Sequence, residues 1–229
     1  MSSHIQNLFD SIAPQYDLLN SLLSFQIDRH WRKQGMRHLE NSKGFGKVLD
    51  LCAGTLALSK TLLAFNPSTQ ITAVDFSENM LRQGEASLSA QEKKQIQVQV
   101  GDVLKLNLSP STYDAVMVAY GLRNVSDNPL ALQNIYQWLR PGGRLVILEF
   151  FKPTTFFSKI FNLTYAEIVI PVLGAIVSKN KSAYEHLRDS VRNYYTTEEY
   201  RALLEKTGFK NIHITAQTGG ISHLVVAEK

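Results

Sequence analysis

From residue 47 to 150 the chain switches repeatedly between two hydrophobic periods. KVLDLC (47–52), QITAVDF (70–76), IQVQV (96–100), YDAVMVAY (113–120) and RLVILEF (144–150) are short apolar runs of strand length. YDAVMVAY is nearly all apolar at 115–119, as a strand covered on both faces must be. Between the runs lie stretches of helical period: 57–65 with Leu58, Leu62 and Phe65 on one side, a second after Ser77, and LALQNIYQWL (130–139) with Leu132, Ile135 and Leu139. Ser77 reads as a helix N-cap ahead of Met80 and Leu81, and Pro141-Gly142-Gly143 as the stop after the last helix. Strands alternating with helices over short loops predict an α/β fold with a doubly wound, mostly parallel sheet. Further on, TEEYRALLEKTGF (197–209) reads as an amphipathic helix closed by Gly208. NIHITAQ (211–217) and ISHLVVA (221–227) then read as an antiparallel hairpin turning on the two residues Gly219-Gly220.

The rest of the chain divides around that core. Residues 1–46 form a helical cap, 47–150 a cofactor-binding core, 151–195 an apolar insertion after the fifth strand, and 196–229 the C-terminal helix and hairpin, all within one domain. At 229 residues with 44% hydrophobic and 19% charged positions the chain can bury a full core without a metal or disulfide staple. The single cysteine, Cys52, excludes an internal disulfide, and the lack of any Cys-x-x-Cys pair argues against structural zinc. Cys52 follows a buried strand and reads as a small apolar filler. The N-terminus has no basic start followed by an apolar run, so it does not read as a secretory signal. Net charge +4 suits an anionic surface or ligand, but there is no basic stripe with interleaved aromatics, and a nucleic-acid partner is not expected.

In an open parallel sheet the ligand lies beyond the carboxyl ends of the strands. Those ends carry Asp50, Ala53, Gly54 and Thr55 after the first strand, Asp75 after the second, Asp102 after the third, and Tyr120 to Asn124 after the fourth. Asp75 lies 25 residues beyond Asp50, the spacing at which a carboxylate takes the two hydroxyl protons of a ribose. Dinucleotide enzymes share that acid, but they need Gly-x-Gly-x-x-Gly to bring backbone against a pyrophosphate. Here the first turn is CAGTLAL, with one glycine. Three acids at adjacent strand ends would repel a diphosphate and suit a cationic nucleoside, which points to S-adenosyl-L-methionine.

Six segments carry a family resemblance: FDSIAPQYDLLNSLLSFQIDRHWRK (9–33), VLDLCAGT (48–55), VDFSENML (74–81), AYGLRNVSD (119–127), LRPGGRLVILEFFKP (139–153) and AYEHLRDSVRNYY (183–195). Together they resemble the demethylmenaquinone methyltransferase / ubiquinone-biosynthesis C-methyltransferase family, within the class I methyltransferases. The resemblance implies a Rossmann-like, seven-stranded sheet and methyl transfer from S-adenosyl-L-methionine to a ring carbon of a prenylated quinol. It implies Thr55 and Asp75 as the main cofactor contacts, with Asp50, Gly54, Phe76 and Ala119 around them and Asp102 and Val103 beside the adenine. Tyr16, Arg123 and Asn124 fall on the acceptor side. Arg123, a poor base, is assigned electrostatic stabilisation of a phenolate, with a salt bridge to Asp127 as its structural alternative. Tyr16, or a water held by Arg123 and Asn124, relays the proton, and Tyr184 and His186 are further candidates.

The sequence departs from the family at Leu56, where the pattern has glycine, so that the leucine must point away or narrow the pocket. It departs also at Ala119, often serine, and at Tyr194-Tyr195 in place of Phe-Pro. FFKPTTFFSKIFNLTYAEIVIPVLGAIV (150–177), flanked by Lys152, Lys159, Lys179 and Lys181, reads as a helical cap on the sheet edge, the wall of a prenyl channel, or a lip against an anionic membrane. Trp31, with the apolar positions of 18–27, is a candidate for the opposing wall. The expected setting is the cytoplasm, peripheral at the inner face of the membrane, with a homodimer left open. Two competing readings remain: another class I methyltransferase for a small molecule, and a lipid-binding or scaffold subunit with a degraded cofactor pocket.

Overall fold

The computed structural model describes residues 26–39, 45–154 and 181–229, with side chains of 181–184 left aside. Among these residues seven strands form one sheet in the order β3-β2-β1-β4-β5-β7-β6. The strands are β1 (Lys47–Leu51), β2 (Gln70–Asp75), β3 (Ile96–Val100), β4 (Tyr113–Ala119), β5 (Leu139–Glu149), β6 (Lys210–Gln217) and β7 (Ser222–Glu228). All neighbours pair in parallel except β7, which runs antiparallel to both β5 and β6. The described helices are α1 (Ile27–Arg37), α2 (Ala57–Phe65), α3 (Glu78–Ala86), α4 (Asn128–Trp138), α5 (Lys181–Arg192) and α6 (Thr197–Thr207).

Burial follows the periods in the sequence. Six of the seven positions of β4 are buried, because β4 lies mid-sheet with helices on both faces. The outer strands β3 and β6 keep polar, partly exposed positions such as Gln97, Gln99, His213 and Thr215, which suit sheet edges. One core layer joins Leu132, Ile135 and Trp138 of α4 and Tyr200 and Leu204 of α6 to β4, β5 and β7. The other joins Trp31 and Met36 of α1 and Leu58 and Leu62 of α2 to the opposite faces of β1, β2 and β5.

The caps place these helices. The Ser77 hydroxyl accepts the Met80 N–H at 3.2 Å, as expected from the sequence. Asp127 caps α4 through the Leu130 N–H at 2.9 Å, so α4 begins at Asn128, with Pro129 in its first turn. Thr196 and Glu199 form a reciprocal capping box at α6, and Gly208 closes that helix at φ 109°.

Two expectations are corrected. Pro141-Gly142-Gly143 does not separate α4 from the strand: α4 ends at Trp138, and β5 begins at Leu139 and runs through the triplet as a bulge between Tyr113 and Ala115 of β4. The detour holds because Gly142, at φ 74°, donates to the Lys229 carbonyl at 3.0 Å, and the Lys229 N–H returns to the Gly143 carbonyl at 2.9 Å. The β6–β7 hairpin turns on four residues, Thr218 to Ile221, since Gln217 pairs with Ser222. Thr218, Gly219 and Gly220 all take positive φ there, more than a two-residue turn accommodates.

Candidate active site

The carboxyl ends of β1, β2, β3 and β4 open on two hollows that share Cys52 in their linings. A narrow slot of about 10 Å³ is lined by Cys52, Asp75, Phe76, Gly101, Asp102 and Val103, among others. Beside it a cavity of about 450 Å³ runs from the β1 turn to α1, lined by Asp50, Gly54, Thr55, Lys60, Ala119 and Tyr120 and, on the α1 side, by Asp28, Arg29, Arg32 and Lys33. The eight residues expected at the cofactor therefore fall into two groups: Asp75, Phe76, Asp102 and Val103 at the slot, and Asp50, Gly54, Thr55 and Ala119 at the cavity. Cys52 borders both.

The loop conformation explains this placement. The Ala53 N–H bonds the Val74 carbonyl at 3.1 Å, and the Gly54 N–H bonds Asp75 Oδ2 at 2.8 Å, tying the first turn to the end of β2. Asp75 Oδ1 accepts the Ser77 N–H at 2.8 Å. Both oxygens are thus aimed by backbone, and a carboxylate can accept about four hydrogen bonds, which leaves chemistry for a ribose diol. Gly54 sits at φ 52° with open space where a Cβ would stand, so it brings bare backbone to the cavity.

Asp50 is buried, and burial, reinforced by the nearby Asp75, pushes its carboxyl up to about 7 against the opposing Ser59 hydroxyl bond at 2.6 Å. Its Oδ1 has no hydrogen-bond partner among the described residues. A buried carboxylate held short of satisfaction at a cavity wall is a seat for a cation. The donor set thus fits S-adenosyl-L-methionine: a diol acceptor in Asp75, a neighbouring cavity of about 450 Å³, and a carboxylate for positive charge.

Leu56 does not obstruct this site. It caps α2 in the left-handed region at φ 64°, the conformation that a glycine would take, yet its side chain is fully buried and does not line the cavity. It packs over Gly84 of α3: a Cβ on Gly84 would stand 2.6 Å from Leu56 Cγ and 2.8 Å from the Thr55 carbonyl carbon. The leucine is directed into the α3 interface, the first of the two outcomes foreseen.

On the acceptor side the β4 loop is tightly packed. Tyr120, at φ 57°, stacks on Phe150 with ring centres 4.6 Å apart and hydrogen-bonds Ser222 at 3.3 Å. A Cβ on Gly121 would stand 2.2 Å from that of Cys52, so the loop closes directly on the first turn. Burial raises the Cys52 thiol well above its usual range, with Asp75, Glu149, Asp50 and Asp102 adding to the effect. That suits the packing role expected of it.

Arg123 does form a salt bridge, but to Glu149 and not to Asp127. Its Nη1 lies 2.8 Å from Glu149 Oε1 and 2.5 Å from the Tyr120 carbonyl, with the guanidinium 5.4 Å from the Phe150 ring centre. Asp127 is committed to the α4 cap. Glu149 is fully buried and also accepts the N–H groups of Phe150, at 2.8 Å, and Arg123, at 3.3 Å. Asn124 is buried too, with Oδ1 2.8 Å from His186 Nε2 of α5. Arg123 and Asn124 thus sit behind the Tyr120 loop and do not line the cavity. Trp31 is also buried, donating from its indole to Thr218 at 2.9 Å; it ties α1 to the hairpin turn and does not line this cavity, while most of the segment it was expected to face lies outside the described residues.

Tyr16 and most of the apolar insertion lie outside the described residues, as do Lys159 and Lys179. Among the described residues no helix is long and apolar enough to cross a membrane. Sequence reasoning passed over Glu149, read only as the end of a strand, and the α1 residues facing the cavity. The strand-end position of Glu149, just before Phe150, was the available signal.

Comparisons agree with this architecture. The model of the ubiE/COQ5 methyltransferase family matches residues 1–229. A demethylmenaquinone methyltransferase of Staphylococcus carnosus is 37% identical over 231 positions, spanning 98% of this chain and 93% of that one. One from Staphylococcus aureus strain JH9 is 36% identical with the same coverage. A SAM-dependent methyltransferase from Thermotoga maritima superposes with a TM-score of 0.67 at 17% identity, over 97% of this chain and 99% of its own. Human N-acetylserotonin methyltransferase in complex with SAM reaches 0.58 at 22% identity, over 90% of this chain and 59% of its own. At those identities the two solved structures bear out the expected fold and nothing beyond it.

Proposed function

We propose that this chain, which belongs to the ubiE/COQ5 methyltransferase family, transfers a methyl group to a ring carbon of a prenylated quinol, as the names of its demethylmenaquinone methyltransferase relatives indicate. It is an S-adenosylmethionine-dependent methyltransferase. The observation that carries the reading is the full-length family match together with a strand-end acid set built for a cationic nucleoside and not for a diphosphate.

When bound, S-adenosylmethionine supplies a methyl carbon already activated by its sulfonium. The protein's task is then alignment and charge placement. Asp75 would take the ribose hydroxyls, with Phe76, Asp102 and Val103 flanking the base and Asp50, Gly54, Thr55 and Ala119 around the amino-acid end.

On the acceptor side the ring carbon gains nucleophilicity as a neighbouring phenol loses its proton. Arg123 stands behind the Tyr120 loop and off this cavity, so its proposed part is to hold the Tyr120 carbonyl and the charge balance of the loop beside the developing oxygen charge. Because Glu149 already balances the guanidinium, Arg123 acts through directed N–H groups more than through net charge. Its Nε has no partner among the described residues. Tyr16 remains a proposed proton relay, and the Asn124–His186 pair is a second route, since histidine exchanges protons near neutral pH.

The prenyl tail would follow the apolar insertion toward the membrane. On this reading the protein works in the cytoplasm, peripheral at the inner face of the membrane, and takes no nucleic-acid partner. Sedimentation with anionic vesicles should occur at low salt and weaken at high salt; no binding at low salt would sink the membrane contact.

The test of the reaction is gene deletion followed by mass analysis of extracted quinones. A quinone lighter by one methyl group supports both the reaction and the acceptor, and an unchanged pool refutes the reading.

A further inference from the structure

Two residues that line the 450 Å³ cavity each carry a buried polar atom with no hydrogen-bond partner among the described residues: Asp50, with Oδ1, and Arg32, with Nε. They come from different parts of the chain, the end of β1 and the middle of α1. Arg32 is held by Asp28, whose Oδ2 lies 2.6 Å from Arg32 Nη1, and Asp28 itself is buried. One face of the guanidinium is therefore fixed while Nε is left over. Orphaned buried donors and acceptors are uncommon, because each forfeits its hydration. Two of them, an anion and a cation lining one cavity beside a glycine turn, match a ligand that carries both charges on neighbouring atoms.

We infer that Arg32 receives the carboxylate of the cofactor's methionine end, while Asp50 receives its ammonium, so that α1 reads the zwitterion from the side opposite β1. This rests on the methyltransferase reading above and adds a specific determinant to it. Asp28 is the positioning residue: it orients Arg32 and sets the edge that the guanidinium presents. Arg29, Lys33 and Lys60, on the same cavity, add positive potential around the carboxylate end.

The test is calorimetric, on the full chain, with S-adenosylmethionine and its decarboxylated analogue as probes. The wild type should bind S-adenosylmethionine about ten- to a hundredfold more tightly, the range of a charge-assisted hydrogen bond. Arg32→Met should bind both probes alike, and Arg32→Lys should recover part of the preference. Should Arg32→Met fail to fold because the buried Asp28 loses its ion pair with Arg32, Asp28→Asn/Arg32→Met removes that charge and serves in its place. Equal affinities in the wild type would overturn the assignment of Arg32 while leaving the methyltransferase reading intact. No binding of S-adenosylmethionine by the wild type would remove both.

Discussion

Leu56 offers a sharp test of how this chain tolerates a side chain where its family has glycine. The residue is fully buried and holds φ 64°, ψ 21° at the start of α2. Truncating a buried leucine to alanine costs about 2–5 kcal/mol through lost contacts and the remaining cavity. Alanine would still carry a Cβ in the left-handed region, at about 1 kcal/mol, whereas glycine would not. Leu56→Gly and Leu56→Ala should therefore both destabilise, with the glycine variant the more stable by about 0.5–1 kcal/mol. Ordinary positions rank the other way, alanine being favoured by a similar amount. Urea unfolding reads the difference as separated midpoints at an unchanged slope. Because the Leu56 side chain lies on Gly84 and not on the cavity, S-adenosylmethionine should bind both variants near the wild-type affinity. An alanine variant at least as stable as the glycine one, or a tenfold loss of affinity in either, would refute this account of the turn.

Other outcomes follow from the same geometry. Glu149→Gln leaves the Arg123 guanidinium buried without its counter-charge and should cost about 3–5 kcal/mol by urea unfolding; the double change Glu149→Gln/Arg123→Gln should recover part of the stability but not the turnover. Arg123→Ala should cut turnover by orders of magnitude with S-adenosylmethionine affinity nearly intact, and unchanged turnover would remove Arg123 from the mechanism. Asp50 is raised from 3.8 to about 7, so its share of stability is fully present below pH 3.8 and is lost as pH rises through about 7. Asp50→Asn should flatten that part of the stability-versus-pH curve. A cationic ligand favours the ionised form, so binding to the wild type should release protons near pH 7, and calorimetry in buffers of different ionisation enthalpy would detect this. Cys52 should resist alkylation in the native protein and react only on unfolding.

Much of the fold could be read in advance because its central strands are covered on both faces and so appear as unbroken apolar runs. β3 fell where the periodicity put it, and α2 matched residue for residue. What escaped depended on contacts far apart in the chain. The Pro-Gly-Gly segment looks like a stop signal locally, but the backbone of Lys229 turns it into part of a strand. The cofactor acids were legible because each follows its strand directly. The Arg123 partner was not: Glu149 lies 26 residues on, and only the β4–β5 pairing brings it near. Arg32 was invisible for a similar reason, since nothing in an amphipathic helix says which of its charges faces a cavity.

The strand order also dictates a sequence of assembly. β7 is synthesised after β5 and β6, yet it lies between them and pairs with both. While β7 is still missing from a nascent chain, β5 presents a bare hydrogen-bonding edge and β6, already made, has no sheet to join. Ribosome-bound chains should therefore complete the cofactor half of the molecule well before the other half, and depend on chaperones to shield β5 until β7 slots in.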